Sequence, residues 1–278
     1  MTFNKLNSSK IGLGDNVDVE SFKKTFARNH PALFEHIPKT AGLAIRESLR
    51  KHKLWRTALF HHLLDNADRI SSYTWVKGEL IDEAKKDVIS FKDGEVIVSS
   101  HHHLRLHKDN LPHGFYDKCF KFCFVRNPYD RFVSAFYYLL NQPSNHPFHH
   151  ADKPHQDLLK DAYKGDIHKF IAECPNYCEA GLIFMPQVEF IIDEDGETLL
   201  MDFIGKYESF EHPNSVSSTA CTDWELLCKE YLNMPSTLLQ VNKTHKKPEW
   251  EEILDAEDIA KLNQFYWQDF KFLDYDAQ

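Results

Sequence analysis

The tightest limit on the fold comes from Phe120-Lys121-Phe122-Cys123-Phe124-Val125, a run closed by Arg126-Asn127-Pro128 and followed at once by a helical pattern. Short runs of aromatic and β-branched residues bounded by turn formers favour strands. Asn127 suits a helix N-cap, because its side-chain oxygen accepts backbone N–H groups that have no partner within the helix. Pro128 suits the first helical position, where a missing N–H costs nothing. The helix is expected to run to about Leu140, with Phe132, Val133, Phe136, Tyr137 and Leu140 on one apolar face. A strand that turns directly into an amphipathic helix is half of a βαβ unit.

The pattern recurs along the chain. Ala32–His36 is a short apolar run entering a turn with Pro38 and Gly42, and the spacing of Ile45, Leu49 and Leu54 predicts a helix over Gly42–Lys53. Glu95–Ser99 reads as another buried strand, followed by His101, His102 and His103. Asn141–His155, rich in Pro, His and Asn, reads as a long surface loop, and Leu158–Glu173 as a helix. Val188–Ile192 and Thr198–Phe203, joined by Asp193-Glu194-Asp195-Gly196, read as a strand hairpin. Helices are expected at Asp223–Leu232 and Ala256–Phe270. Strands alternating with helices argue for an α/β sheet with helices on both faces, whose ligands bind at the carboxyl ends of the strands. Residues 1–25 read as a polar arm and residues 26–278 as a single domain.

Composition narrows the partners. Lys and Arg total 33 against 42 Asp and Glu, a net charge of −9, which disfavours nucleic acid and anionic lipid. An anionic ligand must therefore be met by a local basic pocket. The six cysteines form no CxxC pair and read as free thiols in a reducing compartment. Met1–Glu20 has no basic segment followed by an apolar core, and no stretch is long and apolar enough to span a bilayer. A cytoplasmic chain with no membrane insertion is the expectation.

His36-Ile37-Pro38-Lys39-Thr40-Ala41-Gly42 would link strand to helix. Backbone N–H groups at such a junction converge on one point, and the helix dipole favours an anion there. Lys39 adds a mobile positive charge, Thr40 a hydroxyl, and Gly42 a place where the backbone can come close. The nucleoside-triphosphate pattern GxxxxGK[ST] is absent. Taken alone, Lys39-Thr40-Ala41-Gly42 fits a plain strand-to-helix turn with a solvated lysine equally well. Arg126 at a strand end, with Ser134 eight residues on, forms a second anion site, since a guanidinium can fork onto a phosphate. Two such sites on one sheet edge suit a bis-phosphorylated nucleotide.

The two motifs together, His36–Gly42 and Phe122-Cys123-Phe124-Val125-Arg126-Asn127-Pro128-Tyr129-Asp130-Arg131-Phe132-Val133-Ser134, resemble the carbohydrate-type sulfotransferase family. That family includes the heparan and chondroitin sulfotransferases, and the likeness is closest to its bacterial members. It extends through Gln187 and Asp193–Phe203 to Asn242-Lys243-Thr244-His245 and Phe270–Tyr275. The resemblance implies a P-loop-like three-layer α/β fold, with a central, mostly parallel sheet flanked by helices. It implies 3′-phosphoadenosine 5′-phosphosulfate (PAPS) as donor, adenosine 3′,5′-bisphosphate (PAP) as product, and a saccharide or other hydroxylated acceptor. Lys39, Thr40, Ala41 and Gly42 would hold the 5′-phosphosulfate and Arg126 and Ser134 the 3′-phosphate. Asn242, Lys243 and Thr244 would belong to a late loop over the nucleotide. One departure stands out: Leu43 and Ala44 occupy positions where the family usually has Thr-Ser, so two hydroxyl donors are missing.

Transfer to an alcohol also needs a base titrating near neutrality, which favours histidine. Alignment of Phe120-Lys121-Phe122 with the family segment places His101 on its recurrent histidine, with His103 as the fallback. No metal is expected: a zinc set of His101, His103 and His107 lacks a carboxylate or thiolate at ligand spacing. Three other readings remain. They are sulfation of a small hydroxylated metabolite, a nucleotide-binding module without transferase activity, and a P-loop kinase, for which the magnesium-holding set is missing.

Overall fold

The computed structural model describes residues 20–21, 24–25, 27, 30–51, 73–76, 79–82, 87–90, 96–100, 103–105, 108, 115–143, 149–211, 222–239 and 248–278. Its centre is a parallel sheet of four strands in the order β5-β1-β6-β7, with β1 Ala32–His36, β5 Val96–Ser100, β6 Phe120–Val125 and β7 Phe203–Lys206. A separate antiparallel sheet, not foreseen from sequence, is formed by β2 Tyr73–Val76, β3 Glu79–Asp82 and β4 Asp87–Ser90. The main helices are α1 Gly42–Lys51, α2 Pro128–Leu140, α3 His149–Asp161, α4 Ile167–Glu173, α5 Ala256–Phe265 and α6 Trp267–Phe272.

Strand alternation divides the parallel sheet into two buried faces. Phe34, Phe120, Phe122, Phe124 and Phe203 point to one, where Ile45 and Leu49 of α1 pack together with Trp224, Leu227 and Tyr231. Leu33, Cys123 and Val125 point to the other, against Leu104, Val188, Phe190, Ile191 and Leu273. Burial on both faces makes this a three-layer α/β arrangement, as expected of a parallel sheet. A third cluster joins α2 to α4 and α5 through Phe132, Phe136, Phe170, Leu262 and Tyr266. Lys121, the one charged residue in β6, is tolerated because its ammonium donates to the carbonyl of Cys119 (2.9 Å) and covers the ring of Tyr116.

Helix α2 begins and ends at the expected residues, with the side chain of Asn127 accepting from the N–H groups of Tyr129 and Asp130. Elsewhere tertiary contacts override local pattern. The expected loop Asn141–His155 is helical from His149, with Pro154 inside α3. Gln156 of α3 donates to the carbonyls of Leu139, Leu140 and Gln142 at the C-terminal end of α2, where helical partners run out. The single helix expected at Leu158–Glu173 breaks after Asp161, where Lys164 (φ 58°) and Gly165 (φ 69°) turn left-handed and Asp166 caps α4. The expected hairpin is instead a 3₁₀ turn at Gln187–Phe190 and one antiparallel bridge, Ile192 to Leu199. Gln187 and Val188 donate their N–H groups to the Asp269 carboxylate (3.0 and 2.9 Å), so they are not available to a ladder. Phe203 then starts β7, parallel to β6. The expected helix Ala256–Phe270 is broken at the buried Tyr266, whose hydroxyl donates to the carbonyl of Phe184 (2.6 Å). The helix at Asp223–Leu226 continues as a π-helix over Leu227–Leu232.

The described cysteines, Cys119, Cys123, Cys174, Cys178 and Cys228, are free. No helix among the described residues is long and apolar enough to cross a membrane.

Candidate functional site

Register brings the strand ends together. His36 pairs with Ser100, Glu35 with Cys123, and Val125 with Lys206, so β5, β1, β6 and β7 finish at one edge. The segments that follow them carry Lys39, His103, Arg126 and Tyr207 to that edge.

In the loop after β1, Lys39 and Ala41 both have left-handed backbone (φ 69° and 67°), and Ala41 leads straight into the right-handed helix at Gly42. Successive residues of opposite hand turn their N–H groups toward one point and form an anion-binding concavity at the helix N-terminus. Left-handed backbone is costly for residues with a Cβ, so the surrounding structure must hold it. Two contacts do so. Thr40, fully buried, donates its hydroxyl to the carbonyl of Ile37 (2.9 Å), which braces the turn from within. Arg126 donates from Nη1 to the carbonyl of Lys39 (3.2 Å). Gly42 is required sterically: a Cβ there would lie 1.7 Å from Cδ2 of the buried His36 ring. The close approach read from sequence is thus an approach to His36. Leu43 is 41% exposed on the first turn of α1. The Lys39 ammonium lies 4.3 Å above the ring of Tyr138 on α2, a cation–π contact. Gln142 donates to the Tyr138 hydroxyl (3.0 Å) and to Asp152 of α3 (2.7 Å), which ties α3 to this side of the site.

Arg126 is 4% exposed and held on several sides. Its Nε donates to Asp130 (2.5 Å), and its guanidinium lies 3.9 Å over the ring of Tyr207. Its backbone N–H and C=O bond reciprocally to the side chain of Gln187 (2.8 Å each), which also donates to the buried Asp269 (3.2 Å). Burial pushes the Asp269 carboxyl above the ordinary carboxylate range, against the pull of Arg131 and the N–H groups it accepts. Ser134 is buried on α2. Arg131, in the same motif, is structural: it is fully buried and donates to the carbonyls of Ile183 and Met185.

His103 stacks on Phe190 with ring centroids 5.8 Å apart, and its Nδ1 lies 2.8 Å from the carbonyl of Glu189. That carbonyl can only accept, which fixes the proton on Nδ1 and leaves Nε2 as the acceptor nitrogen. His101, Asn242, Lys243 and Thr244 lie outside the described residues.

Of the sequence-derived site, the structure thus brings together Lys39, Thr40, Ala41, Gly42 and Arg126. Sequence reasoning missed Asp130, Tyr138, Tyr207 and Asp269. Asp130 carries a readable signal, one helical turn after Arg126; Tyr207 and Asp269 are too distant in sequence to carry one.

His168, Asp255 and Asp258 place ligand-type atoms within 4.8 Å of one another. Those carboxylates already serve the start of α5, where Asp255 and Asp258 form a capping box. His168 bonds to Asp258 (2.6 Å), which raises its pKa above the ordinary histidine value. The cluster reads as a helix cap tied to α4.

A model described as "Sulfotransferase family" matches residues 24–276. No curated protein and no solved structure matches the chain significantly.

Proposed function

The chain belongs to the sulfotransferase family, and on that premise we propose that it moves the sulfuryl group of PAPS to a hydroxyl of a carbohydrate or glycoconjugate. The observation that carries the donor half is the hydrogen bond from Arg126 to the Lys39 carbonyl (3.2 Å), which makes the anion-binding loop and the strand-end guanidinium neighbours. One ligand with anionic groups at both ends suits such a pair. The loop N–H groups and Lys39 would take the 5′-phosphosulfate. Arg126 would take the 3′-phosphate through Nη2, together with Ser134 of α2. The carbohydrate half rests on the resemblance of the two motifs to the carbohydrate-type enzymes.

Charge accounting fits this division of labour. Lys39 and Arg126 bring two positive charges, but Asp130 offsets one of them at 2.5 Å. A polyanionic nucleotide needs more cations than that. The segment 240–247 holds Lys243, Lys246 and Lys247, and we assign it, with Asn242 and Thr244, to the nucleotide.

In the reaction the acceptor oxygen forms a bond to sulfur as the bond from sulfur to the 5′-phosphate oxygen breaks, and PAP leaves with that electron pair. Lys39 offsets charge developing on the leaving oxygen, which costs little reorganisation because the ammonium is already at the site. His101 takes the acceptor proton, with His103 as the fallback. Positioning and electrostatics carry the acceleration, as in phosphoryl transfer.

Transfer of labelled sulfate from PAPS to panels of saccharides and small hydroxylated metabolites tests the reading. Label is expected on a saccharide, and His101→Ala is expected to lower transfer about 10²–10⁴-fold, the range of a general base, while PAP still binds. Label confined to small metabolites would overturn the acceptor class. Near-normal turnover of His101→Ala with PAP bound would overturn the base.

A further inference from the structure

The backbone that follows Arg126 is gripped from the far end of the chain. The amide of Asn127 donates to Oε1 of Glu208 (2.6 Å), and Oε2 of the same carboxylate accepts the hydroxyl of Tyr275 (2.9 Å). The ring of Tyr275 is covered by the ammonium of Lys206 (4.5 Å), which also donates to the carbonyl of Asp274 (2.5 Å). Between Lys206 and Glu208 stands Tyr207, whose ring underlies the Arg126 guanidinium. Past Tyr275, the N–H of Gln278 donates to the hydroxyl of Tyr129 (2.9 Å), and Asn263 donates to the Gln278 carbonyl (2.7 Å). Residues 273–278 therefore form a strap, anchored by the buried Leu273 and fastened to the start of α2, at Asn127 through Glu208 and at Tyr129 directly.

We propose that Tyr275, acting through Glu208, is a positioning residue for Arg126, and that this strap sets affinity at the 3′-phosphate end of the nucleotide. The inference rests on the PAPS reading above. Glu208 grips two points at once: one oxygen holds the amide next to Arg126 and the other holds the strap. Bonds to a carboxylate are short and strong, so they fix the plane of the group. Without the Tyr275 hydroxyl, Glu208 keeps Asn127 but loses the donor that sets that plane, and Tyr207 beside it loses its fixed neighbour. The guanidinium then samples more orientations, and a directional contact from Nη2 to phosphate is the kind that suffers most. Burial and the adjacent Glu208 hold the Tyr275 hydroxyl protonated well past its ordinary range, so the donor persists at working pH. All of these contacts fall on the Arg126 side of the site; the loop after β1, which takes the 5′ end, shares one bond with Arg126 and keeps its internal brace, the Thr40 hydroxyl on the Ile37 carbonyl.

Calorimetric titration of PAP and of adenosine 5′-monophosphate, which lacks the 3′-phosphate, separates this role from general stability. Tyr275→Phe keeps the ring under Lys206 and removes only the hydroxyl; Glu208→Gln keeps the shape and removes the charge. Each is expected to weaken PAP about tenfold, the scale of one hydrogen bond to a charged group, while the monophosphate changes by less than about twofold. Equal losses for both nucleotides, or no loss for PAP, would overturn the inference. Wild-type protein that binds the two nucleotides equally would instead overturn the donor reading.

Discussion

Lys39→Ala is expected to lower sulfuryl transfer by about a thousandfold with little change in thermal stability. A charge placed in advance at the leaving oxygen is worth about 2.7–4 kcal/mol in comparable sites, or about 10²–10³ in rate. Lys39 belongs near the upper end, because the other cation close to it, Arg126, is already paired with Asp130. Stability should hold, since Lys39 is half-buried and its cation–π contact with the Tyr138 ring is of a kind worth about 0.5–1 kcal/mol near a surface. Alanine does not relieve the left-handed backbone at position 39 either, because it too carries a Cβ. Single-turnover release of labelled sulfate, measured alongside the melting temperature, checks both halves. A rate within tenfold of wild type would remove Lys39 from the chemistry.

Gly42→Ala is expected to abolish measurable PAP binding and to destabilise the fold by roughly 3 kcal/mol, the upper range for forcing atoms into a packed site. The new methyl group would lie 1.7 Å from Cδ2 and 1.9 Å from Nε2 of His36. That ring cannot retreat freely: it is 6% exposed and lies against Phe34, with centroids 5.9 Å apart. Either β1 must shift at its end or the first turn of α1 must lift, and both displace the N–H groups that the anion would use. The cause can be isolated by a double-mutant cycle. His36→Ala should make room, so the double variant is expected to recover much of the stability lost in Gly42→Ala. Simple additivity of the two losses would show that the steric explanation is wrong.

Much of the candidate site's framework is legible because its signals are local. Asn127 and Pro128 mark a helix start through their own chemistry, and α2 begins and ends where they and its apolar face indicate. The alternation of Phe120, Phe122 and Phe124 with Cys123 and Val125 carries the two-faced burial of β6. Fold class followed from such segments. What stayed hidden depends on residues far apart in sequence. Gln187 bonds Arg126 across 61 positions, and nothing local distinguishes that from the strand its neighbours suggest. The Pro- and His-rich start of α3 looks like a loop until Gln156 meets the last carbonyls of α2. The role of Gly42 was read as access for an anion, yet the neighbour that demands glycine is His36, six residues earlier. Local pattern reports what a segment can do; packing decides which option is taken.

Thermal stabilisation by ligand reports whether this site takes a 3′,5′-bisphosphorylated nucleotide. A ligand that binds only the native state adds about 2.7 kcal/mol at about 100 times its Kd. PAP without metal is expected to raise the melting temperature by several degrees, with ATP and magnesium giving little or nothing. A clear rise with ATP and magnesium and none with PAP would mean that the site takes a nucleoside triphosphate instead.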